Sequence, residues 1–250
     1  TQGTREITDV GNIAGSTARR MRPRRTVSLP APYSGDDLSS RTITFLNGGG
    51  TIDTNGIDLT LAGSVGSGDG GLTKAGLGSL TLSAAATYTG TTTITGGTLT
   101  IGADNATGAG GDLVIGAGAT LDLVTYHITA GLVSTTGAAP TILGSGTITA
   151  STGFSFGNTG DIGVDAVLDG AVGLLKTQTN VLTLSGLNTF SGPVEVQAGT
   201  LSFNTITNVG GGASALGSVT NAQDGVIHMG LGSAATTLIY TGNGSSSDRT

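Results

Sequence analysis

The sequence contains no cysteine and no tryptophan, and only 10% of its 250 residues are charged. Without cysteine the chain cannot form disulfide bonds or a zinc site built on thiolates. It has two histidines, His127 and His228, and no Gly-x-Ser-x-Gly segment, so it offers little material for the common nucleophilic triads. No apolar run is long enough to span a bilayer. We therefore expect no nucleophilic active site, and we expect each histidine to be exposed or half-buried.

Glycine is abundant instead, with 46 residues, and helix-forming residues are scarce. Because glycine costs roughly 1 kcal/mol relative to alanine inside a helix, long helices are disfavoured. Hydrophobic residues make up 36% of the chain and alternate with Thr and Ser in short runs that end at Gly, Asn or Asp. This pattern predicts short β-strands with one buried face, and hence an all-β fold.

The charges are distributed unevenly along the chain. Six of the ten basic residues precede residue 26, whereas residues 33–250 carry four basic and fourteen acidic side chains, a formal net charge of −10. A body with this charge is a poor candidate for binding nucleic acid or anionic lipid. We therefore expect no nucleic-acid partner and no membrane insertion by this segment.

The chain divides into two parts. Residues 1–32 lack strand periodicity and are punctuated by Pro23, Pro30 and Pro32, so we interpret them as an extended Arg-rich arm or linker. Residues 33–250 carry the regular strand pattern. A sandwich or barrel with hairpins and a parallel solenoid both accept many short strands. Junctions made of single glycines, and leucines at positions that stacking would superpose, favour the solenoid.

A 29-residue segment occurs twice. Residues 71–99 and 173–201 share Gly-Leu-x-Lys, Leu-Thr-Leu-Ser, Thr-Tyr/Phe-Thr/Ser-Gly and Gly-Thr-Leu at a constant offset of 102 residues. A fixed period of this kind is typical of stacked repeat architectures. The shared positions are glycine corners and Leu or Thr strand positions, which coil stacking explains without any catalytic role.

The combined pattern resembles the autotransporter-associated β-strand repeat, also called the passenger-associated transport repeat. Residues 71–99 match it nearly throughout, whereas in residues 173–201 Gln178 and Asn180 replace expected turn glycines and Pro193 interrupts a Thr run. The resemblance implies a right-handed parallel β-helix in the passenger of a secreted or surface-displayed bacterial protein, often adhesive or architectural. It brings no catalytic residues, and we expect no cofactor and no metal.

Stacking also predicts the number of coils, the length of the solenoid and its core residues. At roughly 20 to 25 residues per coil, residues 33–250 predict a β-solenoid of about ten coils, about 45–50 Å long at ~4.8 Å per coil. The core should consist of aliphatic ladders drawn mainly from the two repeat copies. The predicted core residues are Leu80, Leu82, Ile94, Leu99, Ile101, Leu182, Leu184, Val194, Val196, Leu201 and Phe203.

A longer period relates the two ends of the chain. Tyr33-Ser34-Gly35 resembles Tyr240-Thr241-Gly242 at a separation of 207 residues. This similarity predicts either one module of a longer array or a subunit whose open ends pair with another copy. The arginine-rich segment either contacts the acidic body of such a copy or is a flexible linker. The residues predicted to take part in self-association are Arg19, Arg20, Arg22, Arg24, Arg25, Tyr33 and Tyr240.

Two motifs that suggest chemistry have structural interpretations. Residues 66–71 satisfy G-x-G-x-x-G, but a strand sequence follows them where a dinucleotide site needs a helix, so we expect a corner loop. Asp161, Asp165 and Asp169 are evenly spaced and are suited to calcium or to a glycan-cleaving site. Nothing else convergent accompanies them, which favours outward-facing, solvated carboxylates.

The only lysines of the chain, Lys74 and Lys176, occupy the same position in the two repeat copies. They are 102 residues apart and therefore several coils apart, so they do not form a shared basic ladder. We expect each to be a solvated turn residue whose aliphatic stem covers the neighbouring coil.

Two functions follow from these observations. The first is a structural or adhesive segment of a large extracellular or cell-surface β-solenoid, a non-enzymatic stalk or scaffold that assembles end to end into a filament. Its partners would be other copies, adjacent repeat units, and an extracellular glycan or a host or neighbouring cell surface. The alternative is a polysaccharide-binding or polysaccharide-cleaving β-helix, which requires a lateral groove with clustered acids, bases or aromatics.

Overall fold

The computed structural model describes residues 19–21, 26–28, 43–108 and 110–249. These residues form 23 β-strands and no helix. Every pair of hydrogen-bonded strands runs parallel. Because parallel neighbours are about 20 residues apart in sequence, the chain coils and stacks on itself. The predicted all-β solenoid is confirmed.

The strands are short, with two exceptions. In chain order they are β1 (Arg19–Met21), β2 (Thr26–Ser28), β3 (Ile43–Phe45), β4 (Gly50–Asp53), β5 (Leu59–Leu61), β6 (Val65–Gly66), β7 (Leu72–Ala75), β8 (Ser79–Leu82), β9 (Thr92–Ile94), β10 (Thr98–Ile101), β11 (Leu113–Ile115), β12 (Thr120–Asp122), β13 (His127–Gly137), β14 (Thr141–Leu143), β15 (Thr147–Asn158), β16 (Ile162–Val164), β17 (Val167–Asp169), β18 (Leu174–Lys176), β19 (Val181–Leu184), β20 (Val194–Val196), β21 (Gly199–Phe203), β22 (Ile227–Met229) and β23 (Thr236–Tyr240). The exceptions are β13 and β15, with 11 and 12 residues.

Three parallel sheets run along the solenoid. The nine-stranded sheet has the order β5-β8-β10-β12-β14-β16-β19-β21-β23. The eleven-stranded sheet has the order β2-β4-β7-β9-β11-β13-β15-β18-β20-β22, with β17 paired to β15. The three-stranded sheet has the order β1-β3-β6. The chain thus alternates between the two larger sheets as it rises layer by layer, and the three-stranded sheet belongs to the first described turns.

The core consists of ladders of aliphatic side chains. In the nine-stranded sheet Leu59, Leu80, Leu99 and Leu121 are in register on successive turns, and all four are buried. Strand alternation points their polar neighbours outward, which is why the sequence alternates Leu or Ile with Thr. All eleven predicted core residues are buried, so that prediction is confirmed.

The solenoid has fewer turns than the predicted ten. The nine strands of the nine-stranded sheet are separated by eight turns, which is roughly 38 Å of stacking at ~4.8 Å per turn. The expected turn length was close, but residues 204–226 form a long excursion between β21 and β22, of which Ala215 and Leu216 return to the core. Residues 33–42, assigned to the solenoid from the sequence, lie outside the described residues.

The excursion is fastened by the C-terminal residues. The guanidinium of Arg249 donates hydrogen bonds to the main-chain carbonyls of Leu216 at 2.6 Å and Gly217 at 2.9 Å. Its Nε donates to the carbonyl of Thr207 at 3.1 Å. The excursion is therefore an ordered feature on the side of the rod.

Two segments of the predicted N-terminal arm add strands to the sheets. Strand β1 pairs with β3 and strand β2 pairs with β4, both in parallel. Residues 1–18, 22–25 and 29–32 of the predicted arm lie outside the described residues. The boundary at residue 32 stays a prediction.

The G-x-G-x-x-G segment is a corner, as predicted. Strand β6 enters it and strand β7 follows it, so no helix N-terminus is available for a phosphate. A Cβ atom on Gly68 would lie 1.8 Å from the carbonyl oxygen of Phe45 on the preceding turn. Glycine is needed here because the two turns touch through their main chains.

Candidate functional site

The two lysines of the repeat are buried, and the prediction that they are solvated is wrong. Both have no exposed surface. The ammonium of Lys74 donates three hydrogen bonds to main-chain carbonyls: those of Ala75 at 2.9 Å, Gly76 at 2.8 Å and Gly96 at 2.9 Å. The last acceptor belongs to the next turn, so the side chain joins two turns at a corner.

The second copy builds the same site with a different acceptor. The ammonium of Lys176 donates to the carbonyl of Gln178 at 2.5 Å and to the side-chain oxygen of Asn180 at 3.0 Å. The amide nitrogen of Asn180 in turn donates to the carbonyl of Gly160 at 2.7 Å. Asn180, which departs from the repeat pattern, therefore supplies a partner that the first copy takes from the next turn.

Burial opposes the charge of both lysines. It lowers the pKa of Lys74 and of Lys176, while the nearby carboxylates of Asp53 and Asp161 act weakly in the opposite direction. A buried ammonium is tolerated when its donors are satisfied, and here they are bound by corner carbonyls and, for Lys176, by the side-chain oxygen of Asn180. Each lysine is thus a structural clamp and is not available to a ligand.

The aromatic residue of the repeat locks onto a glycine of the next turn. A Cβ atom on Gly108 would lie 2.4 Å from the carbonyl oxygen of Tyr88 and 2.9 Å from its ring. In the second copy, a Cβ on Gly217 would lie 2.3 Å from the carbonyl of Phe190 and 2.9 Å from its ring. Both rings are buried, so neither offers a platform for a ligand.

The surroundings of the two rings differ as a set. The hydroxyl of Tyr88 is 2.7 Å from that of Thr92, which donates to the carbonyl of Thr107 at 3.0 Å. In the second copy, the ring lacks a hydroxyl at Phe190, and Val194 replaces the threonine. The surroundings of the ring are therefore polar in the first copy and apolar in the second. In each copy the neighbouring residue matches the ring.

The three predicted carboxylates point outward, and each accepts a hydrogen bond from the residue 20 positions later, on the next turn. The pairs are Asp161 with the main-chain nitrogen of Val181, Asp165 with the hydroxyl of Ser185, and Asp169 with the hydroxyl of Thr189. The hydrogen bond from Thr189, together with one from Thr149, lowers the pKa of Asp169 against the opposing effect of burial. Each of these carboxylates therefore joins two adjacent turns by a hydrogen bond.

No three His, Asp or Glu side chains within the described part of the chain come together as metal ligands. His127 is exposed and His228 is half-buried, as predicted. His228 lies in register with Glu195 on the outer face of the eleven-stranded sheet. The main-chain nitrogen of His127 donates to Asp104 at 2.8 Å, which is another contact between turns.

The residues predicted for self-association are only partly described. Arg19 and Arg20 lie in β1, while Arg22, Arg24, Arg25 and Tyr33 lie outside the described residues. Tyr240 ends β23, is 38% exposed, packs on Phe203 with ring centroids 5.7 Å apart, and hydrogen-bonds Ser245 at 3.0 Å. Strands β22 and β23 end their sheets, and Leu231 beside them is 60% exposed.

A concave surface that the sequence did not reveal lies on the first described turns. This polar groove, as we call it, has a volume of about 550 Å³. Six glycines form its floor, and its polar side chains are Asn47, Thr51, Asp69, Thr73, Thr91 and Thr93. The signal that could have located it was the coincidence of glycine runs with threonines at one register position.

Comparison with known families identifies the repeat. Residues 72–101 and 174–203 match the family described as passenger-associated-transport-repeat. These two segments are passenger-associated transport repeats. The matched residues are those that carry the buried lysines, the locked aromatic rings and the leucine ladders. The residues of the repeat therefore serve the contacts between turns, and burial and stacking explain why each residue type is present.

One curated relative of this repeat-containing chain is the adhesin BmaC autotransporter of Brucella suis biovar 1 (strain 1330). It is 38% identical over 235 residues, which is 90% of this chain and 6% of the relative. The chain thus spans a small fraction of that protein's length. No solved structure matches the chain. The described residues contain no helix with the length and hydropathy needed to cross a bilayer.

Proposed function

We propose that this chain is a structural and adhesive segment of a bacterial surface-displayed passenger. The observation that carries this proposal is the continuous parallel stacking of about eight turns, in which main-chain pairing joins every turn to the next. Such a body is stiff along its axis and presents long polar faces. The segment acts as a stalk or scaffold that holds its surface away from the cell.

The use of the polar side chains supports a non-enzymatic role. The repeat lysines clamp corners, and Asp161, Asp165 and Asp169 bond adjacent turns. Within the described residues, no three acidic or histidine side chains come together as metal ligands. The chemistry-bearing residues therefore stabilise the rod.

The relative supports the adhesive part of the proposal. Its printed name describes an autotransporter adhesin, and 90% of this chain aligns with it. An autotransporter passenger lies outside the cell or on its surface, so we propose the same location for this segment. Because the alignment covers 6% of the relative, the ligand of that protein is not transferred.

Adhesion is tested with beads coated with the purified chain and incubated with host cells or with abiotic surfaces. We expect coated beads to be retained above beads that carry the Leu99→Asp variant at the same density. Leu99 is fully buried in the nine-stranded sheet, so this variant loses the stacked surface while keeping the composition. Equal retention of the two bead types would overturn the adhesive role.

A further proposal concerns end-to-end assembly at β22 and β23, the last described strands of the two larger sheets. Unpaired strand edges with exposed apolar neighbours are templates for another chain. We propose that a second copy continues the stack beyond β22 and β23. Electron microscopy at increasing concentration should show filaments that disappear in Leu238→Lys, which places a charge in the last turn, and persist in Leu187→Lys, away from the end. Short, uniform particles at every concentration would overturn assembly.

A further inference from the structure

We propose that the polar groove binds a neutral, unbranched oligosaccharide that lies along the solenoid axis. This inference deepens the proposed function, on which it rests, because it names a ligand class and a site for adhesion. It concerns Asn47, Asp69 and the threonine row Thr51, Thr73 and Thr93, none of which belongs to the turn-to-turn contacts described above.

The groove is fixed by main-chain packing. A Cβ atom on Gly71 would lie 2.0 Å from the carbonyl oxygen of Thr91, and one on Gly90 would lie 2.4 Å from the nitrogen of Gly71. Side chains are therefore excluded from the floor by the close approach of successive turns. The concavity does not depend on the rotamer of any residue, so it is preformed for a ligand.

The polar groups of the groove are regularly spaced and unpaired. Thr51, Thr73 and Thr93 are in register on three successive turns, about 4.8 Å apart, and each faces outward. Within the described residues, the side chains of these threonines and of Asp69 and Asn47 make no hydrogen bond to other protein groups. Their hydrogen-bonding capacity is available to a ligand.

The repeat of this row suits a chain of sugar rings. The spacing of the turns is close to the length of one pyranose unit, so a linear glycan presents a hydroxyl to each successive threonine. The row ends where Val114 follows Thr93 in register. In the other direction Thr26 is in register with Thr51. The three threonines that line the groove lie on three turns, so the groove holds about three sugar units.

The charge of the groove selects against acidic ligands. Its one charged side chain is Asp69, and no basic side chain lines it. Residues 33–250 carry a formal net charge of −10, so a uronate polymer, a phosphate or an acidic peptide is repelled. A carboxylate and an amide beside hydroxyls are well suited to hydrogen bonds with neutral sugar hydroxyls.

The test is a nuclear magnetic resonance titration of the full chain with neutral tri- and hexasaccharides and with a uronate oligomer of equal length. We expect shifts confined to residues 47–51, 69–73 and 90–93 with the neutral sugars, and none with the uronate. Thr73→Val and Asp69→Ala should each weaken binding by about five- to tenfold, as the loss of one hydrogen bond predicts. Thr136→Val, an exposed threonine on the same sheet and outside the groove, is the matched control.

Several results would overturn the groove proposal. These are no binding of any neutral sugar, equal binding of the uronate, or equal effects of Thr73→Val and Thr136→Val. Shifts in the groove caused by a peptide copy of residues 18–25, with none from sugars, would assign the groove to the chain's own arginine-rich segment and overturn glycan binding. A chain that binds the sugars but fails the bead assay would overturn the proposed adhesion and leave the groove proposal standing.

Discussion

Lys74 and Lys176 are charged residues inside a β-solenoid core. Each ammonium donates to oxygen atoms at a corner of the chain, such as the carbonyls of Gly76 and Gln178, where the strand pairing of the sheet has ended. Gly97, with φ of +64°, makes room for this arrangement, since a Cβ there would lie 2.8 Å from the nitrogen of Lys74. The lysine and the glycine corner therefore depend on each other.

Replacement of Lys74 by methionine should be strongly destabilising. Methionine fills a similar volume but removes the ammonium donor from the carbonyls of Gly76 and Gly96, while that of Ala75 keeps the hydrogen bond from the main-chain nitrogen of Thr54, so we expect Lys74→Met to lower the free energy of unfolding by roughly 2–4 kcal/mol. Lys176→Met should cost less, because one of its acceptors is a side chain that can reorient. Urea denaturation measures both, with Thr136→Val as the control. Equal stability of Lys74→Met and the control would contradict the clamp.

The outward carboxylates predict a dependence of stability on pH. The folded-state pKa of Asp169 lies below its ordinary value of 3.8, so the unfolded chain binds more protons as the pH falls. The stabilisation from Asp169 is complete above that ordinary value and is lost as the pH falls through the lowered pKa. The stability difference between wild type and Asp169→Asn should shrink in this range, measured by denaturation between about pH 2 and 6. A difference that is constant with pH would contradict the coupling.

Substitutions that exchange the ring residues of the two aromatic sites should each lower the stability of the fold. Tyr88→Phe removes a hydroxyl partner of Thr92 and should cost about 0.5–1.5 kcal/mol. Adding Thr92→Val and Thr107→Leu, which reproduces the second copy, should recover that loss, because the hydroxyl of Thr107 is buried without a partner. Phe190→Tyr buries an unpaired hydroxyl and should cost roughly 1–3 kcal/mol. Thermal denaturation of the three variants tests this, and additive losses in the triple variant would contradict it.

At the residue level, the sequence predicted the burial of side chains that alternate along strands and missed the burial of side chains that bind main-chain atoms at turns. All eleven core residues were found because they follow period-two patterns within single strands. The burial of Lys74 was missed because its partners are main-chain carbonyls, which leave no trace in side-chain patterns. The paired change from Tyr88 and Thr92 to Phe190 and Val194 was visible in the repeat alignment and could have indicated contact.

At the level of elements, the corners determine how closely the turns approach. Gly108 and Gly217 occupy the same place against an aromatic residue of the preceding turn, although the excursion adds seven residues to the spacing in the second copy. The contact between the glycine and the aromatic ring is therefore kept, although the segment that joins the two residues differs in length between the copies. This explains how the repeat tolerates insertions at one corner without losing register.

Alanine substitutions separate close packing from backbone strain. Gly108 and Gly56 have the same φ of +83°, but only Gly108 has neighbours within reach of a Cβ atom. Gly56→Ala should cost about 1 kcal/mol from the left-handed conformation alone. Gly108→Ala should cost a further 1–3 kcal/mol or so from the clash with Tyr88. Chemical denaturation of both variants gives the comparison, and equal losses would contradict the proposed lock.

Strand existence was predictable, whereas strand pairing and length were only partly so. Short runs such as Leu80–Leu82 alternate clearly and were assigned from the sequence. Strands β13 and β15 are long and pair with a register shift between Ala130 and Leu132, so the eleven-stranded sheet bends within single strands. Local sequence does not specify such a bend, because the stacking of neighbouring turns imposes it.

At the scale of the whole molecule, the account depends on stacking. The repeat motif covers two segments. Turns that do not match it follow the same pattern of buried aliphatic side chains, outward polar side chains and glycine corners. Turn count was overestimated because the sequence does not distinguish a strand in the stack from an excursion beside it. The polar groove is also a property at this scale, since three turns must align before it exists.

The stacking is tested most directly by distances between spin labels on introduced cysteines, which the absence of native cysteine makes unambiguous. Thr73 is paired in turn with Ser155, Leu175 and Glu195, which lie in register with it on the outer face, four, five and six turns away. The account predicts narrow distributions near 19, 24 and 29 Å, about 4.8 Å for each added turn. Distances that do not rise in equal steps with turn number would contradict the solenoid and every function proposed for it.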